Sequence, residues 1–66
     1  MIISDFTTPE LLYFEENCNF TEYEYAVFDL RSQDKSLEFI ADFLDISIDR
    51  VKKLSRKVNK KILRVL

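Results

Sequence analysis

Residues 35–66 read KSLEFIADFLDISIDRVKKLSRKVNKKILRVL, and this stretch decides the fold. Leu37, Ile40, Ala41 and Leu44 recur at i, i+3, i+4 and i+7, which sets four apolar side chains on one face of a helix over 37–44. Asp45 and Ile46 break that period, and Ser47 is placed to accept the free backbone N–H groups that open a second helix. There Val51, Leu54, Val58, Ile62 and Val65 continue at steps of 3, 4, 4 and 3, so a helix over 48–64 buries one stripe along its length. The charge lies elsewhere on it: from Arg50 to Arg64 there are eight Lys or Arg residues and no Asp or Glu.

A short helix, a turn of about three residues and a longer helix with a basic outer surface form the arrangement that fits a protein helix to a nucleic-acid groove. A run of charge taken alone reads as a solvated face on a small bundle. Here the turn spacing, the Ser47 cap and the absence of acids from the basic face act together, and they point to nucleic acid.

The chain has 66 residues, enough for one domain with one small core. Hydrophobic residues make up 47% and charged residues 33%, with a single Pro, which is the composition of a folded chain and not of a disordered one. No run is long enough to predict a transmembrane helix, and an acid, Asp5, stands where a signal peptide carries basic residues, so a cytoplasmic location is expected. Cys18 is the only cysteine and there is no histidine, which argues against an internal disulfide and a zinc site and leaves Cys18 as a small buried hydrophobe. The net charge of −2 hides a strong polarity: residues 1–33 hold seven acids and one base, Arg31, for −6, whereas residues 34–66 hold nine bases and five acids, for +4. One face can therefore steer toward phosphate while the acidic half discourages indiscriminate binding.

Residues 1–6 read as an extended arm whose Ile2, Ile3 and Phe6 need a groove. Thr8 followed by Pro9 predicts a helix start, because Pro in the first turn gives up only an N–H that has no partner there. That helix, over 9–17, has Leu11, Phe14 and Cys18 along one side with Leu12 beside them, and Asn17 and Asn19 are expected to supply a left-handed cap in a chain without glycine. Thr21 and Glu24 form a capping box, and Phe20 and Tyr25 stand at the two positions of a hydrophobic staple, so a helix over 22–32 starts with two independent signals. Its repeat of Tyr23, Ala26, Val27 and Leu30 faces inward. The expected architecture is all-α, a small domain of three to four helices containing a helix-turn-helix, with Val27, Leu30, Ile40, Ala41, Leu44, Val51, Leu54 and Val58 in the core.

Catalysis finds little support. Without histidine or glycine there is no nucleophile and base pair of the usual kind and no phosphate-cradling loop, and no three ligands recur at metal spacing. Glu38 and Asp42 share a helix face at i, i+4, but an acid/base pair needs a cleft that so small a helical domain hardly supplies. The expectation is a chain that is not an enzyme and carries no cofactor or metal.

FTEYEYAVFDL at 20–30, followed by Arg31, resembles the opening helix of the helix-turn-helix domain at the C-terminus of bacterial sigma factors, the region 4 that reads the upstream promoter element. LuxR-type DNA-binding domains are similar, less closely. The likeness runs on through Ser36, Ile40, Ala41, Leu44, Ile46, Ser47, Val51, Lys52, Leu54 and Arg56, in the pattern S-x-x-x-I-A-x-x-L-turn-I-S-x-x-x-V-K-x-x-x-R, and covers roughly residues 20–64. The chain departs from it at Asp45, where the family has a turn glycine, and at Phe39, where it usually has an acid. Nothing corresponds to the promoter-melting regions, so the resemblance implies a sigma-like module or small transcriptional regulator and not an independent sigma factor.

The resemblance further implies that 37–44 supports and 48–61 enters the major groove of double-stranded DNA. Asp49, Arg50, Lys52, Lys53 and Arg56 would face the groove, Lys57 and Lys60 would lie nearer phosphates, and RNA polymerase would be a second partner. A different class of function stands beside this one, a protein-interaction module that keeps the fold and binds polymerase or another regulator without reading DNA. Its surface would be aromatic. The helical rotation sends Phe39 and Phe43 away from Leu37, Ile40, Ala41 and Leu44, and sends Tyr25 and Phe28 away from Tyr23, Val27 and Leu30. Either the N-terminal helix, with Leu11, Leu12 and Phe14, folds over Phe39 and Phe43, or the four aromatics form an interface, for a partner or a second copy in a homodimer, rimmed by Glu38 and Asp42.

Overall fold

The structure, a computed structural model, describes residues 3–66; Ile2, expected in a groove, lies outside the described residues. A single 3-10 turn, Ile3–Asp5, is followed by α1 (Thr8–Asn17), α2 (Glu22–Ser32), α3 (Leu37–Leu44) and α4 (Ile48–Val65). There is no strand among the described residues, and the expected all-α class holds. No helix among them is long and apolar enough to cross a membrane.

Every helix starts on a hydroxyl. Thr7, Thr21, Ser36 and Ser47 each accept a hydrogen bond from the backbone N–H three residues on, which satisfies a donor that the helix itself cannot. At α2 the box is the expected Thr21 with Glu24. A second complete box, Thr7 with Glu10, opens α1 one residue earlier than Thr8–Pro9 predicts and puts Pro9 inside the first turn.

The ends of α2 and α3 share another device. Asp34 has φ 60° and Asp45 has φ 56°, the left-handed region, and both are followed by the double bond pattern that closes a helix with a reversal. Lys35 N–H donates to Leu30 O and Asp34 N–H to Arg31 O; likewise Ile46 N–H donates to Ala41 O and Asp45 N–H to Asp42 O. Aspartate fills a glycine position twice, and its Cβ strains both turns. Asp45→Gly should therefore raise stability by up to about 1 kcal/mol, roughly 4–8 °C in a melt of a domain this size, after allowing for glycine's freer unfolded chain. A lower midpoint would mean that the Asp45 carboxylate makes a contact worth more than the strain.

Asn17 and Asn19 do not cap α1 in the left-handed form. Cys18 ends the helix in extended backbone, and Asn17 Nδ2 instead donates to Tyr13 O. The chain then runs straight into the α2 box.

The core holds Phe14 of α1 and Cys18 just after it, Val27, Phe28 and Leu30 of α2, Ile40 and Ala41 of α3, and Val51, Val58 and Ile62 of α4. α4 is the spine of the domain, with α1, α2 and α3 all packed against it. Leu44 and Leu54, expected inside, are only partly buried at the edge of the core. The N-terminal residues are not an extended arm: the 3-10 turn lies on α2, which buries Ile3 and leaves Phe6 edge-on to Phe14 at 4.8 Å between ring centroids.

Candidate nucleic-acid interface

α4 is the element to build from. Its buried stripe is Val51, Val58 and Ile62 with Leu54 and Val65 at the edge. At about 100° per residue, Asp49, Lys53, Arg56, Lys57, Lys60 and Arg64 all fall within about 60° of the direction opposite Val51. The outer face is thus a single basic strip with one acid at its first turn, where the helix dipole favours Asp49.

Asp49, Arg50, Lys52, Lys53, Arg56, Lys57 and Lys60, the residues expected to meet DNA, are all exposed. The pairing of charges is informative. Among the described residues the one ion pair is Lys61 Nζ with Glu24 Oε1, so the six expected cations have no carboxylate partner. Lys61 instead turns inward: its ammonium also donates to Asn19 O at 2.6 Å, and Glu24 is 4% exposed. Lys57, Lys60 and Arg64 line an open cleft of ≈ 180 Å³ beside that pair.

Comparisons with protein-family models, with curated proteins and with solved structures find no match.

Among the described residues the Glu24 carboxyl is the one buried charged group, and it serves two elements at once. Burial pushes its pKa up, but the Lys61 ammonium and the Thr21 N–H together outweigh burial and hold it below the ordinary carboxylate value. A depressed pKa stabilises the fold fully above the unfolded carboxylate range, about 4.3, and that contribution disappears as pH falls through the lower folded value. At neutral pH, Glu24→Gln should cost about 2 kcal/mol, the usual worth of hydrogen bonds to a charged group. Urea midpoints of the two proteins should converge as the pH falls through and below the lowered folded pKa. A gap that stays constant with pH would place the effect on packing alone. Cys18 sits nearby, its pKa raised by burial and only partly lowered by Lys61, so at neutral pH it is a protonated, inert thiol.

The expected aromatic surface divides. Phe28 does not belong to it: it is 3% exposed, with its ring 5.0 Å from that of Phe20 and in a core shared with Ile3. The 3-10 turn packed on α2 covers that side, which helical rotation alone places outward. Tyr25 is exposed, and its hydroxyl donates to Glu15 Oε1 at 2.6 Å, tying α2 to α1; that bond raises its pKa. Tyr23, expected to face inward, lies at the rim with the Arg50 guanidinium 5.1 Å from its ring centroid. Phe39 and Phe43 are both exposed, so α1 does not fold over them. It lies on α4, where Tyr13 OH donates to Val65 O.

The connection from α3 to α4 is short, three residues from Asp45 to Ser47. Asp45 reverses the chain, Ile46 tucks partly into the core and Ser47 caps α4 by accepting from Arg50 N at 3.2 Å. This holds the first turn of α4, with Asp49 and Arg50, at a defined place beside α3.

Proposed function

We propose that the chain is a small DNA-binding module, a sigma-like transcription regulator whose α3 and α4 act as a helix-turn-helix with α4 in the major groove. The observation that carries this reading is the separation of the α4 cations: Lys61 is neutralised internally, and Arg50, Lys52, Lys53, Arg56, Lys57 and Lys60 are exposed without a carboxylate partner among the described residues. A protein gains little by holding Lys53, Arg56, Lys57 and Lys60 unpaired along one helix face, with Arg50 and Lys52 at its flanks, unless a polyanion completes them. Near the start of α4, Asp49, Arg50 and Lys53 would read base edges, carboxylate to cytosine N4 and cations to guanine. Toward its other end Lys57 and Lys60 would lie along phosphates. The resemblance to sigma region 4 supports the same placement.

The test is fluorescence anisotropy of a labelled mixed-sequence duplex with the full chain. Four to six phosphate contacts give a log–log salt slope of about −4 to −5, so affinity should fall about 10²- to 10³-fold between 50 and 200 mM salt. No binding at low salt would leave the second reading, protein interaction without DNA, which the exposed Phe39 and Phe43 favour. In that reading polymerase or another regulator is the partner.

A further inference from the structure

The outer face of α3 is apolar and uncovered. Phe39 is 44% and Phe43 67% exposed, and their rings stack with centroids 6.2 Å and planes 16° apart. Lys35 Nζ stands 5.1 Å from the Phe39 centroid, so this aromatic surface already accepts a cation. Glu38 and Asp42, exposed and one turn apart, give the stack a negative rim, and neither is in an ion pair among the described residues.

α4 carries the reverse pattern toward its other end. Leu63 is 63% exposed, and Lys60, one turn before it on the same side, is exposed and unpaired among the described residues. The two surfaces cannot meet within one molecule. α3 joins the first turn of α4, whereas Leu63 lies about 22 Å further along that helix at 1.5 Å per residue.

We propose that these surfaces are the two halves of one contact between copies of the chain, the α3 face of one molecule receiving the Lys60–Leu63 face of the next. Charge selects this pairing over the antiparallel two-fold one. Two α3 helices packed antiparallel about a dyad would stack their phenylalanines but set both acidic rims on the same side, carboxylate against carboxylate. The head-to-tail contact opposes carboxylates to an ammonium and leucine to the aromatic stack. It also leaves one surface of each kind unfilled, so it extends from copy to copy instead of closing at a dimer. The area is small, in the class of weak contacts below about 1,200 Å². This contact goes beyond the DNA reading and needs no DNA, and it competes with phosphate for one side chain, Lys60.

Sedimentation equilibrium of the full chain from about 10 μM to about 1 mM, a range that spans weak association, tests it. The average mass should rise with concentration and pass that of a dimer. Phe43→Asp alone and Leu63→Asp alone should each stay monomeric, because each lacks one half of the contact. Mixed in equal amounts they should form a 1:1 dimer and nothing larger, since each supplies the surface the other has lost. Both positions are exposed, and a cooperative melt by circular dichroism checks that each variant is folded; serine at the same position replaces any variant that is not. A full chain that is monomeric throughout, association untouched by either substitution, or a mixture that stays monomeric overturns the proposal. Dimers formed by Leu63→Asp alone would mark a two-fold contact between α3 faces instead.

Discussion

Ile62→Ala will remove about 2–5 kcal/mol of stability, and Leu54→Ala measurably less, although both belong to the apolar stripe of α4. Ile62 is wholly buried, whereas Leu54 is at the edge of the core. Truncating a fully enclosed side chain costs both its transfer free energy and a cavity that the neighbours cannot fill; truncating a half-exposed one lets solvent in. A 66-residue domain has about 3–10 kcal/mol in all, so Ile62→Ala should leave a marginal fold at 25 °C. Urea titrations followed by circular dichroism measure both. If Leu54→Ala proved the more damaging, the centre of the core would lie nearer the α3–α4 turn than the burial places it.

What the sequence discloses is local, and what it conceals is the way distant segments meet. Thr21 and Glu24, Ser36 and Ser47 act on backbone groups three residues away, so the bounds of α2, α3 and α4 can be read from the chain alone. Asp45 in the left-handed turn is legible for the same reason. The Thr7 and Glu10 box carries the same signal, outweighed in a reading that takes Thr8–Pro9 as the start. Phe28 shows the other limit. A helical wheel gives two sides to α2, but the 3-10 turn laid on it adds a third contact that no period in α2 encodes. In the same way α1 carries apolar groups able to cover either Phe39 and Phe43 or the far end of α4, and only the tertiary arrangement chooses α4.

The Glu24–Lys61 pair is the clearest case for the candidate interface. Its partners are 37 residues apart, and in the sequence Lys61 is one more cation in a basic helix. The pairing changes the charge that α4 offers, by neutralising one positive group and using it to fasten α4 to the α1–α2 connection through Asn19 O. The exposed acids Glu10, Glu15, Glu16 and Glu22 stand on α1 and α2 and Glu38 and Asp42 on α3, while α4 carries Asp49 alone. A molecule charged in this way is oriented by a polyanion before contact, with α4 leading.

That division gives the sharpest test of the DNA reading. Lys53→Ala and Arg56→Ala should each weaken duplex binding and reduce the salt slope by about 1, since each removes a counterion-releasing contact, while leaving the melt unchanged because both side chains are exposed. The double variant should reduce the slope by about 2 and, at low salt, bind at least about tenfold more weakly. Lys61→Ala should do the opposite. It leaves the Glu24 carboxylate buried without its ammonium, a loss of about 2–4 kcal/mol that is smaller than for a fully enclosed pair because Lys61 reaches solvent. Once the fraction folded is accounted for, its slope should match that of the unsubstituted chain. Anisotropy titrations at four salt concentrations, run beside thermal melts of the same preparations, separate the two effects. Equal slopes for Lys53→Ala, Arg56→Ala and the unsubstituted chain would remove α4 from the DNA contact, whatever the affinity.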